Sequence, residues 1–115
     1  CVCTNKRTDL SIALLDALGL SARFAAIVGA DAVAARKPDP THFIEAVGRA
    51  GGDVDRSVMV GDTSADIKAA HGAGRPAVLA LFGYLDAPAA ALNADAHLAA
   101  YAELPEIARR LLQPR

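Results

Sequence analysis

The stretch Val58-Met59-Val60-Gly61-Asp62-Thr63-Ser64-Ala65-Asp66 constrains the fold more than any other part of the chain. Val58 to Val60 is a short, uncharged apolar run, the pattern of a strand buried on both faces in a parallel sheet. Gly61 ends the run. Asp62 then falls at the carboxyl end of the strand, where open α/β sheets bind their ligands. Thr63 or Ser64 can cap the helix that follows, and Asp66 lies in its first turn, where the helix dipole favours an anion. Two carboxylates therefore meet on one strand-to-helix loop. Hard oxygen ligands of this kind suit magnesium, which takes one or two protein carboxylates plus water and substrate phosphate.

The same alternation runs through the rest of the chain. Cys1 to Thr4 reads as a strand, and Thr8 or Asp9 can cap a helix carrying Leu10, Ile12, Leu14, Leu15 and Leu18 at near-helical spacing, stopped by Gly19. Ser21 to Phe24 suggests one short turn, Ala25 to Val28 a second strand, and Gly29 to Ala35 a loop. In Lys37-Pro38-Asp39-Pro40 the first proline biases Lys37 toward extended backbone, while Asp39 can cap and Pro40 open a helix to about Ala50, with Phe43, Ile44 and Val47 as its buried stripe. After the Val58 strand come a helix from Ser64 to Ala73, a strand from Ala77 to Leu81, a short helix from Asp86-Ala87-Pro88 to Leu92 and a weak strand at Ala96 to Leu98. The closing helix, Glu103 to Leu112, sets Leu104, Ile107, Leu111 and Leu112 on one face, and Gln113-Pro114-Arg115 reads as a frayed tail. Strands alternating with helices imply an α/β fold: a three-layer, Rossmann-like parallel sheet with helices on both faces, formed by residues 1–115 as one domain.

Composition bounds the partners. A net charge of −1 gives no basic surface for nucleic acid or an anionic membrane, and the apolar runs are far shorter than a membrane span. The amino terminus lacks the order of a secretory signal. Cys1 and Cys3 lie two apart on one strand, near the upper distance limit for a disulfide, and read as buried reduced thiols in a cytoplasmic protein. The chain opens at Cys1, within a strand, which suggests the carboxyl-terminal piece of a longer protein.

Three loops supply chemistry. Thr4, Asn5 and Lys6 offer a hydroxyl, an amide and an ammonium to phosphate oxygens; Lys37 places a point charge against the phosphoryl group; Asp62 offers a metal ligand, with Asp66 orienting Lys37 or a metal-bound water. This set fits phosphoryl transfer on a small phosphorylated metabolite, although each residue also has a plain structural reading as a turn hydroxyl, a solvated lysine or a first-turn acid. His42 and His71 sit at helix ends and read as surface residues, and Phe82 and Tyr84 as core or edge packing.

Val2-Cys3-Thr4-Asn5-Lys6, Arg36-Lys37-Pro38-Asp39-Pro40 and Val60-Gly61-Asp62-Thr63-Ser64-Ala65-Asp66 resemble, in order and spacing, the second, third and fourth motifs of haloacid dehalogenase superfamily phosphatases. Phe82-Gly83-Tyr84 resembles an aromatic-Gly-Tyr segment of the phosphoglycolate phosphatase group within that family. The resemblance implies that Thr4 binds phosphate, that Lys37 contacts phosphate and nucleophile, that Asp62 ligates Mg2+ and that Asp66 supports the site. It implies a phosphatase, acting on a substrate such as 2-phosphoglycolate through an aspartyl-phosphate. The family's first motif, an Asp-x-Asp pair carrying the nucleophile and the general acid-base, has no counterpart among these residues, nor has the cap domain that sets specificity. The sheet is expected to be incomplete at its amino-terminal side. A phosphomutase or dehalogenase on the same scaffold, and a non-catalytic phosphate-binding remnant, are the competing expectations.

Overall fold

The computed structural model describes residues 1–113. The expected tail at Pro114 and Arg115 lies outside the described residues. Among the described residues nine strands and α-helices follow in order: β1 (Val2–Cys3), α1 (Thr8–Ala17), β2 (Ile27–Val28), α2 (Pro40–Arg49), β3 (Met59–Gly61), α3 (Ser64–Gly72), β4 (Ala77–Ala80), β5 (Ala96–Leu98) and α4 (Leu104–Leu112). Each lies within a residue or two of its expected range. The short helix expected from Asp86 to Leu92 is reduced to a single 3-10 turn, Ala89–Ala91.

Every strand pair is parallel, with helices on both faces, but the strands form two sheets and not one. β1 pairs with β2, and β3, β4 and β5 form a second sheet with β4 in the middle. β1 and β3 are both edges, and no ladder joins them among the described residues. The two half-sheets are connected through α2, which packs on β1, β2 and α3.

The core belongs mainly to the second half. Ala77, Val78, Leu79 and Leu98 are fully buried, and Phe43, Val47, Met59, Ile67 and Leu92 pack with Leu79 in one cluster. Each Å2 of apolar surface that this cluster removes from water contributes about 25 cal/mol. The stripe of α2 is rotated from the expected one: His42, Phe43, Ala46 and Val47 are buried, while Ile44 is 43% exposed. Turning the 42/46 edge inward brings His42 beneath Lys37, and Ile44 moves to solvent.

The first half is leaner. On α1 only Ser11 is buried, and Leu10, Ile12, Leu14 and Leu18 are exposed, against the expectation of an apolar face packed inward. Cys1 is exposed and Cys3 half-buried, so the reading of both as buried thiols holds for neither in full; both are free. Cys1 precedes the short ladder that shelters Cys3. No helix is long and apolar enough to cross a membrane among the described residues.

Candidate active site

Lys37 is the residue on which the two half-sheets converge. It is 7% exposed. Its Nζ donates to the carbonyl of Cys3, the last residue of β1, at 2.7 Å and meets Asp66 Oδ1 on α3 at 2.5 Å. The backbone is fixed as tightly. Asn5 Nδ2 donates to the Lys37 carbonyl at 2.9 Å, and the Lys37 amide donates to His42 Nδ1 at 3.2 Å. Because Nδ1 accepts, the proton of neutral His42 sits on Nε2 and is donated to the Val28 carbonyl, 3.0 Å away. Burial holds this imidazole below its ordinary pKa, and the positive charge of Lys37 acts in the same direction, against the Val28 hydrogen bond. The segment after Lys37 enters α2 as the sequence implied: Lys37–Pro38 is cis, Asp39 accepts from the Thr41 amide at 2.8 Å, and Pro40 opens the helix.

Asp66 is 5% exposed and every oxygen is used. Opposite Lys37, its Oδ2 accepts from the Asp62 amide at 2.9 Å and from the amide and hydroxyl of Thr63, each at 3.2 Å. Thr63 is the N-cap of α3. The carboxylate thus closes the β3-to-α3 loop from beneath. Gly61 is required by that closure: a Cβ there would lie 2.3 Å from the Asp66 carboxyl.

Asp62 stands on top of the same loop. Its Oδ2 accepts from the Tyr84 amide at 2.9 Å, while Oδ1 has no hydrogen-bond partner among the described residues. One oxygen anchored and one free is the state of a carboxylate able to take a hard cation in monodentate fashion, and a single carboxylate completed by water and phosphate oxygens is a normal magnesium set. No group of three or more His, Cys, Asp or Glu side chains converges among the described residues, so an all-protein cage is not what this donor set offers. Asp62 also lines a cleft of about 400 Å3 with Gly61, Phe82, Gly83, Tyr84 and Tyr101.

Thr4 follows β1, its amide on the Val28 carbonyl at 3.1 Å and its Oγ1 accepting from the Lys6 amide at 3.1 Å, which leaves the hydroxyl proton free to donate elsewhere. Asn5 and Lys6 are exposed beside it, and one N–H of the Asn5 amide donates to the Lys37 carbonyl. A larger cavity of about 730 Å3 lies at the amino ends of the strands, lined by His71, Arg75 and Asp95, and includes none of these groups. The carboxyl-end cluster is the site by the rule for open α/β sheets.

Sequence reading missed His42, which is fully buried, and Tyr84, which is 92% exposed and acts through its amide. Tyr84 is not core packing, and Phe82 is half exposed, meeting Tyr101 edge to face at a centroid distance of 4.9 Å. His71 is exposed, as expected, and pairs with Asp95 at 2.8 Å. The proximity of His42 to the Lys-Pro segment was the available signal; the aromatic-Gly-Tyr resemblance marked Tyr84, but not the use of its amide.

Residues 1–80 match the model of the haloacid dehalogenase-like hydrolase family. Over 111 residues the chain is 48% identical to a phosphoglycolate phosphatase of Caulobacter vibrioides, covering 96% of this chain and 47% of that protein. A phosphoglycolate phosphatase of Mesorhizobium japonicum is 45% identical, covering 97% of this chain and 50% of the relative. Among solved structures, that of a predicted phosphoglycolate phosphatase from Haemophilus somnus superposes with a TM-score of 0.81 at 31% identity, over 90% of this chain and 46% of the other. The chain spans about half the length of the curated relatives it matches.

Proposed function

The chain belongs to the haloacid dehalogenase-like hydrolase family, and from that premise we propose that it is part of a magnesium-dependent phosphatase that hydrolyses a small phosphorylated metabolite such as 2-phosphoglycolate. The observation that carries the reading is the Lys37 ammonium held between the end of β1 and Asp66 beneath the Asp62 loop. The 45–48% identity to relatives named phosphoglycolate phosphatase favours hydrolysis of a phosphate ester over mutase, dehalogenase or non-catalytic readings. Residues 1–115 are read as part of one core domain, with reduced cysteines suited to a cytoplasmic setting.

The roles follow from the groups. Thr4 donates its free hydroxyl proton to a phosphate oxygen. Lys37 supplies positive charge next to it, in a place where burial makes each charge interaction stronger than in water. Asp66 holds that ammonium in place and fixes the loop that presents Asp62. Lys6, exposed beside Thr4, adds a second cation toward the substrate. Asp62 is the carboxylate that would hold Mg2+ through Oδ1, and the cation when bound neutralises charge developing on the phosphoryl oxygens. The aspartyl-phosphate route takes its nucleophile and general acid-base from sequence outside these 115 residues.

The test is Asp62→Asn in the full-length protein carrying this segment. Hydrolysis of 2-phosphoglycolate in the presence of Mg2+ falls at least about a hundredfold, the scale of losing one charge-stabilising group, with an unchanged circular dichroism spectrum. Wild-type turnover in that variant overturns the reading.

A further inference from the structure

The loop after β4 touches the Asp62 loop at two points. Tyr84 N holds Asp62 Oδ2, and Gly83 comes so near that a Cβ on it would lie 2.3 Å from the Asp62 Cβ. Two residues further on, the Asp86 carboxylate receives the first helical residue of α3 with both oxygens: Ser64 N donates to Oδ1 at 2.9 Å and Ser64 Oγ donates to Oδ2 at 2.6 Å. Asp62 therefore sits in a closed ring of contacts. Asp66 fixes its amide from below, Tyr84 N fixes one carboxylate oxygen, and Asp86 ties the end of the Tyr84 segment back to the start of the helix. The Ser64 hydrogen bonds hold the Asp86 carboxyl below its usual pKa.

We propose that Asp86 is a positioning residue for the metal-binding carboxylate: by clasping Ser64 it fixes the segment whose Tyr84 amide orients Asp62, and so aims Asp62 Oδ1 at the cation. The proposal rests on the reading of Asp62 as the magnesium ligand. The alternative role of Asp86 is a helix cap alone, since a carboxylate at the first turn is favoured by the dipole. The structure contains a matched control for that alternative. At the start of α1, Asp31 Oδ1 accepts from Thr8 N at 2.7 Å and Thr8 Oγ1 at 2.9 Å, across 23 residues, against 22 for the Ser64–Asp86 clasp. Asp31 caps a helix through the same two donor types, on one oxygen where Asp86 uses two, and has no hydrogen bond to Asp62 or its loop.

The experiment uses Mn2+ as the probe cation on the full-length protein, with affinity read from water-proton relaxation and folding from thermal melts. Asp86→Ala weakens Mn2+ binding about tenfold, the lower end of what loss of a ligand-orienting partner costs. Asp86→Asn, which keeps one acceptor oxygen for Ser64, gives an intermediate affinity. Asp31→Ala lowers the melting temperature but leaves Mn2+ affinity unchanged. Equal Mn2+ affinity in Asp86→Ala and Asp31→Ala overturns the proposal. Should Asp86→Ala not fold, Asp86→Asn takes its place, and Ser64→Ala, which removes the hydroxyl contact and keeps the amide one, weakens Mn2+ binding by less; wild-type Mn2+ affinity in both overturns the proposal. Asp62→Asn separates the two levels: Mn2+ bound as tightly in that variant as in wild type refutes the assignment of the ligand itself, whereas binding lost there but untouched in Asp86→Ala refutes the clasp alone.

Discussion

In the half of the molecule built on β1 and β2, Thr8 opens a helix and binds Asp31 from the loop after the next strand; in the half built on β3, β4 and β5, Ser64 opens a helix and binds Asp86 from the loop after the next strand. In each, a glycine of that later loop presses on the earlier one: Gly29 N donates to Thr8 Oγ1, and Gly83 abuts Asp62. What differs is the packing beneath. The second half encloses Leu79, Val78 and Leu98 completely, while α1 of the first turns Leu10, Leu14 and Leu18 to solvent. Loop geometry that presents functional groups is thus repeated on two supports of unequal stability, and the two are tied at the site by the Lys37–Asp66 pair.

The largest effect expected is from untying them. Lys37→Met leaves Asp66 as an uncompensated buried charge, and breaking such a pair costs about 3–5 kcal/mol. Urea unfolding measures it; a loss below about 1 kcal/mol would show the pair to be incidental to the union of the halves.

Next comes the contrast in packing. Leu79→Ala is expected to cost about 2–5 kcal/mol, as for buried leucines generally, whereas Leu14→Ala on the exposed face of α1 is expected to stay within about 0.5 kcal/mol. Comparable losses at both positions would mean that α1 is covered in solution.

The smallest is a pH effect at His42. Its pKa is lowered in the folded state, so below about pH 6.5 the unfolded chain binds a proton that the folded chain refuses, and stability falls as pH falls. The lowered carboxylates of Asp31, Asp39, Asp86 and Asp95 act only at more acid pH. His42→Gln should therefore flatten the decline in urea midpoint between about pH 7.5 and 5.5; an unchanged slope would assign the decline to other groups.

Much of the site was legible because its signals are local. Gly61 and Asp66 stand five residues apart, and a glycine pressed by a first-turn acid leaves a mark in sequence. Lys37-Pro38-Asp39-Pro40 likewise declares its own backbone, with cap and helix start in place. What escaped reading depends on tertiary placement. Ile44 and His42 exchange roles because α2 must bury the residue that holds the Lys37 amide, and helical spacing alone cannot choose between adjacent stripes. Asp86 and Tyr84 act on partners 22 residues away in each case, across a strand and a helix. The exposure of α1 could not be read either, since its leucines have the same period whether or not a partner covers them.

A crystal structure of the full-length protein with Mn2+ and tungstate, a phosphate mimic, tests the gathering of these groups most directly. The account predicts the cation about 2.1 Å from Asp62 Oδ1, with the oxyanion within hydrogen-bond reach of Thr4 Oγ1 and Lys37 Nζ. Tungstate bound away from both, with no metal at Asp62, would contradict it.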